Sequence, residues 1–151
     1  MSAKAKITTA VAVFGLLVLA AALRSQAGAK DMPVRDGVFV HITHGPDDPH
    51  RVLMGLRMAN LMAEDKDVLV YFDIEGVQVV LRDATDLHHK PFDSSKTQVR
   101  ALLDKNVPVF VCPGCLAAAG KKPEDVTDGV KIAQKDTFFD FTKGRILTLD
   151  Y

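Results

Sequence analysis

Four short runs in this chain are apolar and β-branched almost without a break: GVFVHIT at 37–43, DVLVYFD at 67–73, VPVFV at 107–111 and RILTL at 145–149. A strand with one wet face alternates apolar and polar residues, whereas a strand buried on both faces does not need to. Helical patterns fall between these runs. Asp48-Pro49 gives an acid at an N-cap and proline at N1, and predicts a helix from Pro49 to about Glu64. Ser95-x-x-Gln98 reads as a capping box opening a second helix that ends near Lys105. Strands alternating with helices imply a parallel sheet with helices on both of its faces. The stretch 76–84 fits neither helical nor strand period, and Thr85 to Asp93, with Pro91, reads as a loop. Beyond a polar connection at 120–128, Gly129 to Ala133 is expected as a short strand and Asp136 to Phe141 as a short helix.

The run ending at Val111 carries the chemistry. It leads into Cys112-Pro-Gly-Cys115 and then Leu116-Ala-Ala-Ala119, so a C-x-x-C pair sits where a strand hands over to a helix. Pro113 suits the first helical turn, which sets Cys112 at or near the N-cap, where free N–H groups and the helix dipole favour a thiolate. These are the only two cysteines of the chain. A bridge between them would close a tiny loop and add little stability by chain entropy, so a structural staple explains the pair poorly. Two inert cysteines remain the plain alternative. Leu116 stands where a c-type haem motif needs histidine, which excludes haem attachment. A four-cysteine zinc site is impossible, and a Cys2His2 site would draw on His41 and His44, residues that straddle a strand end and tend to point to opposite faces. His88 and His89 fall in the expected loop and read as solvated. A thioredoxin-like fold would place C-x-x-C after an early strand, but here only 36 residues follow Cys115.

In open α/β sheets ligands bind outside the carboxyl ends of the strands. Cys112 and His44 both fall at such ends, so His44 is a candidate to act on Cys112 from the same sheet edge. Asp47 and Asp48 beside it serve either as caps or as groups that orient a base or an anion.

The helix at 49–64 has two apolar stripes, Val52, Leu56, Ala59 and Ala63 beside Met54, Met58, Leu61 and Met62, which leaves Arg57, Asn60 and Glu64 on a polar side. Together the stripes span roughly 220°, more than one sheet-facing face needs. The helix is therefore sandwiched within the domain or packs against another subunit. A row of thioethers also suits Cu(I), although packing is the commoner use of methionine.

Lys4 and Lys6 precede an apolar run from Ile7 to Leu23, and Ala27-Gly28-Ala29 is an A-x-A-type site. That is the layout of a signal peptide over residues 1–29 followed by a domain at 30–151, and it implies a periplasmic or secreted protein. An uncleaved membrane anchor is the alternative. The 19 basic and 19 acidic residues cancel and form no Lys/Arg block, so nucleic-acid binding has no electrostatic support. An oxidising compartment would allow Cys112 and Cys115 to rest as a disulfide.

From Gly37 onward the chain resembles the DsrE/DsrF-like family of small sulfur-metabolism proteins. The features that carry the resemblance are ITHGPDDP after the first strand, LRMANLM in the helix, FDIEGV after the second strand, NVPVFVCPGC, DGVKIA and the closing RILTL. The resemblance implies a three-layer α/β/α fold with a five-stranded parallel sheet, a homo-oligomer such as a trimer or hexamer, and a reactive cysteine matching Cys112. In the carrier members that cysteine holds a persulfide and passes it between proteins, which implies a sulfur-donor or thiol-redox protein partner and no organic cofactor. Cys115 has no counterpart in the carriers, and the leader is a second departure. Cys112 is thus expected as the nucleophile, Cys115 as its resolving partner and His44 as a modulator. A non-catalytic assembly module, or a copper or zinc site built from Cys, His and Met, is the competing expectation.

Overall fold

In the computed structural model, which describes residues 33–151, five parallel strands form one sheet in the order β4-β3-β2-β1-β5. The strands are β1 (Gly37–Ile42), β2 (Asp67–Phe72), β3 (Val109–Val111), β4 (Lys131–Ile132) and β5 (Ile146–Asp150). The helices are α1 (Pro49–Met62), α2 (Ser95–Asp104) and α3 (Pro113–Ala118). This is the α/β class with a five-stranded parallel sheet that the sequence pattern and the resemblance imply. The signal peptide expected at 1–29 lies outside the described residues. Among the described residues no helix is long and apolar enough to cross a membrane.

The apolar strand runs are continuous because the two sheet faces bury different sets. Val38, Val40 and Ile42 of β1 align with Val68, Val70 and Phe72 of β2, and Val109 and Val111 of β3 continue the row. These side chains share the main core with Val52, Leu53, Leu56 and Ala59 of α1 and with Val99 and Leu102 of α2. The opposite face carries Phe39, Leu69, Tyr71 and Phe110. Phe138 covers it, edge-on to Tyr71 at 4.8 Å between ring centroids. The segment expected as a helix at 136–141 is instead a 3-10 turn, Lys135–Thr137, followed by turns. Its phenylalanines lie across the sheet rather than along one helical stripe: Phe138 and Phe139 both contact Phe39.

The stretch of undecided period is a 3-10 helix, Ile74–Val80, ending in an antiparallel bridge from Leu81 to Val126. Three residues per turn put Val77 and Val80 on one buried face, a period that neither an α-helix nor a strand would show. This element crosses the loop after β1 at backbone contact distance. A Cβ on Gly76 would stand 2.2 Å from the Ile42 carbonyl oxygen, and one on Gly45 2.5 Å from that of Glu75.

Asp48 caps α1 as expected, accepting from the Arg51 N–H at 3.1 Å. The cap of α2 is one residue earlier than the capping box implies. Ser94 accepts from the Thr97 N–H, and Ser95 and Gln98 are buried. Gln98 donates to the carbonyls of Leu53 and Asp93, and Ser95 Oγ accepts from the Leu87 N–H at 2.9 Å. Both side chains therefore tie neighbouring segments together, which a polar residue inside a core must do. Asn60 likewise leaves its expected polar side and donates to the carbonyls of Leu56 and Gln98, bridging α1 to α2. In α1 the inner stripe also includes Leu53, while Met54 and Leu61 are each 38% exposed.

Candidate functional site

Cys112 is the N-cap of α3, with Pro113 at N1, and its Sγ accepts from the Cys115 N–H at 3.3 Å. Its own N–H donates to the Phe72 carbonyl at 2.9 Å, so the β2–β3 ladder runs up to the cysteine itself. That pairing sets the side chain beside Tyr71, which is in register with Phe110 two residues earlier. Tyr71 thus stands next to the thiol, and its hydroxyl lowers the Cys112 pKa. Burial pushes the Cys112 thiol up, but the Tyr71 hydroxyl, the N–H groups of Cys115 and Gly114 and the Cys115 thiol outweigh it and hold the group below the ordinary thiol range. At six residues α3 is too short for a full macrodipole, so these local donors favour the thiolate.

Cys115 is shifted the other way. Burial raises its thiol, the Ile74 N–H opposes, and the neighbouring Cys112 and Asp73 add to the rise. Ile74 has φ 48°, a left-handed conformation that a β-branched residue rarely adopts. It follows Asp73 at the end of β2, and its N–H is the group that lowers the Cys115 thiol. Burial and the adjacent Cys112, Asp73 and Cys115 raise Tyr71 well above the usual phenol range, so it stays a proton donor.

Tyr71 leans on a second unit. His41 of β1, its register partner, stacks on it at 5.6 Å and 25°. His41 Nδ1 lies 2.9 Å from Asp150 Oδ1. Nε2 lies 2.9 Å from Asp73 Oδ2, a charge contact out of line with a directed hydrogen bond. Burial lowers the His41 pKa, yet the two carboxylates outweigh it and raise the group above its ordinary value. The result is a row across four strands, from Asp150 on β5 through His41 on β1 and Tyr71 on β2 to Cys112 at the end of β3, with Asp73 beside His41.

His44 stands outside this row. Its Nδ1 is 2.6 Å from Asp47 Oδ2 and its Nε2 is 3.1 Å from Arg51. Strand β2 lies between β1 and β3, so His44 shares the sheet edge with Cys112, but its polar contacts reach neither cysteine. Among the described residues no three His, Cys, Asp or Glu side chains converge as a metal site. His89 stacks on His50 at 4.3 Å, and His88 lies 3.6 Å from Asp86. The residues that periodicity missed are Tyr71, Asp73 and His41 as a unit. Their one sequence signal is a set of polar-capable groups at the carboxyl ends of otherwise apolar strands.

A parallel sheet with a capped cysteine at its carboxyl edge, beside a tyrosine and a second thiol, defines a small α/β thiol protein. The pattern of the DsrE/DsrF-like family matches residues 36–148, and the chain belongs to that family. Its fold is similar to that of the E. coli ychN protein, with a TM-score of 0.60 and 20% identity over 77% of this chain and 99% of that one. It is also similar to MTH1491, a protein of unknown function from Methanobacterium thermoautotrophicum, with a TM-score of 0.56 and 23% identity over 76% and 99%. No curated protein matches.

Proposed function

We propose that this protein works in sulfur transfer or thiol redox chemistry, with Cys112 as the nucleophile and Cys115 as its resolving partner. Family membership supports a sulfur-relay role, and the N-cap position of Cys112, whose Sγ accepts from the Cys115 N–H, carries the assignment of the nucleophile. The Cys112 thiolate attacks the outer sulfur of a donor persulfide, forming Cys112–S–SH and releasing the donor as its thiolate. An acceptor thiolate then takes the outer sulfur and frees Cys112. When no acceptor engages, Cys115 as thiolate attacks the inner sulfur, expels HS⁻ and leaves the Cys112–Cys115 disulfide. The leader layout at 1–29 supports an exported setting for this chemistry. The exposed Met54 and Leu61 on α1 support self-assembly.

Brief iodoacetamide treatment of reduced protein near neutral pH, followed by peptide mapping, tests the reading. Cys112 is expected to label first, and Cys115→Ser is expected to accumulate the persulfide on Cys112. Faster labelling of Cys115 would reverse the roles. Two unreactive thiols in folded protein would favour an assembly module.

A further inference from the structure

The two cysteines open onto different surroundings. Cys112 faces Tyr71, whereas Cys115 lies in the wall of a cleft of about 740 Å³ between the 3-10 helix and the outer side of α3. The apolar part of this wall includes Ile74, Ala118 and Ala119, and Ile74 is itself exposed. Its charged part is Glu75 and Asp83 against one cation, Lys121, which is spent on Asp83 at 3.2 Å. The rim therefore keeps an excess of negative charge.

We propose that this cleft admits a small cationic or zwitterionic thiol, up to peptide size, which reduces the oxidised pair by attacking Cys115 rather than Cys112. The incoming thiolate forms a bond to Cys115 Sγ as the Cys112–Cys115 bond breaks, and the electron pair leaves on Cys112 as its thiolate. A second thiolate then attacks the bound thiol's sulfur, giving the external disulfide and releasing Cys115. Exchange is faster when the departing sulfur is the more acidic thiol, and it requires access to the sulfur attacked. The leaving-group condition points to Cys115 as the target, because the Tyr71 hydroxyl and the α3 N–H groups receive the charge on Cys112, and the cleft supplies the access to Cys115. The inference rests on the redox pair of the proposed function, but it assigns a different atom to the external partner.

The test uses oxidised protein, cysteamine as the thiol, and a quench in excess N-ethylmaleimide that caps the released cysteine before it can re-close. Peptide mapping should find cysteamine on Cys115 and maleimide on Cys112. Ala118→Phe, on the exposed side of α3, should slow reduction by cysteamine roughly tenfold through lost access, with iodoacetamide labelling of Cys112 in the reduced protein unchanged. Relative to a free small-molecule disulfide, cysteamine should outpace 3-mercaptopropionate, and Glu75→Lys should narrow that preference. An adduct on Cys112 overturns the cleft assignment while leaving Cys112 as the nucleophile of the reduced state. An unchanged rate in Ala118→Phe, or a pair that forms no disulfide, overturns it as well. Loss of selective Cys112 alkylation in the reduced protein would instead strike the proposed function.

Discussion

Tyr71 and Cys112 are 41 positions apart in sequence and stand side by side on one face of the sheet, because β2 and β3 pair in parallel up to the bond from the Cys112 N–H to the Phe72 carbonyl. The phenol is kept protonated and the thiol is held low, so the hydroxyl serves as a donor toward the sulfur, and its attraction grows as the sulfur ionises.

Tyr71→Phe removes that donor and keeps the ring against Phe138 and His41. A hydrogen bond to a charged acceptor is worth about 1.5–3 kcal/mol, and partial exposure reduces this to about one unit of pKa. The pH profile of Cys112 alkylation should move upward by that amount, with little change in thermal stability. An unmoved profile would show that the backbone donors alone set the thiolate.

His41 should make stability depend on pH. Its folded pKa is raised, so its pairing with Asp73 and Asp150 is fully present below the unfolded value and is lost as pH rises through the folded one. The window lies upward from the ordinary histidine pKa of about 6.5. His41→Gln should therefore cost more stability in mild acid than in mild base, by about 1 kcal/mol or less because Asp150 is largely exposed. Urea titrations of both proteins at the two pH values measure the difference. Equal losses would mean that His41 acts through packing on Tyr71 alone.

The two neighbouring serines of α2 should differ. Ser94 is a half-buried cap, and replacing it with alanine should cost about 1 kcal/mol. Ser95→Ala leaves the buried Leu87 N–H without its acceptor and should cost more, about 2 kcal/mol. Denaturant midpoints rank the pair. The opposite order would restore Ser95 as the cap.

Assembly through α1 would bury Met54 and Leu61, with apolar area worth ~25 cal/mol per Å². Met54→Glu, and Met58→Glu one turn on, should give smaller particles in light scattering with the helical circular dichroism kept. A wild-type protein that is monomeric at micromolar concentration would remove this surface from consideration.

The continuous apolar runs by themselves determined a parallel sheet; burial on both faces holds for the inner strands, while β5, at the sheet edge, keeps Ile146 and Leu147 exposed. The Cys112-Pro113 step, with the alanines after Cys115, determined an N-cap cysteine, because capping depends on residues within one turn of each other. Periodicity failed where neighbours in space compete with neighbours in sequence. Ser95 and Gln98 fit a capping box, but the carbonyls of Leu53 and Asp93 and the N–H of Leu87 claim their side chains. The 3-10 segment after β2 has a period that neither helix nor strand counting detects. His44 and Cys112 do end on one sheet edge, as strand polarity requires. Only the strand order decided that β2 stands between them and that Tyr71, rather than His44, meets the thiol. Parallel register across β5, β1, β2 and β3 aligned Asp150, His41, Tyr71 and Cys112, and the turn after β2 brought Ile74 to the same cleft as Cys115. Those pairings join segments 30 to 110 residues apart, and no local repeat along the chain specifies them.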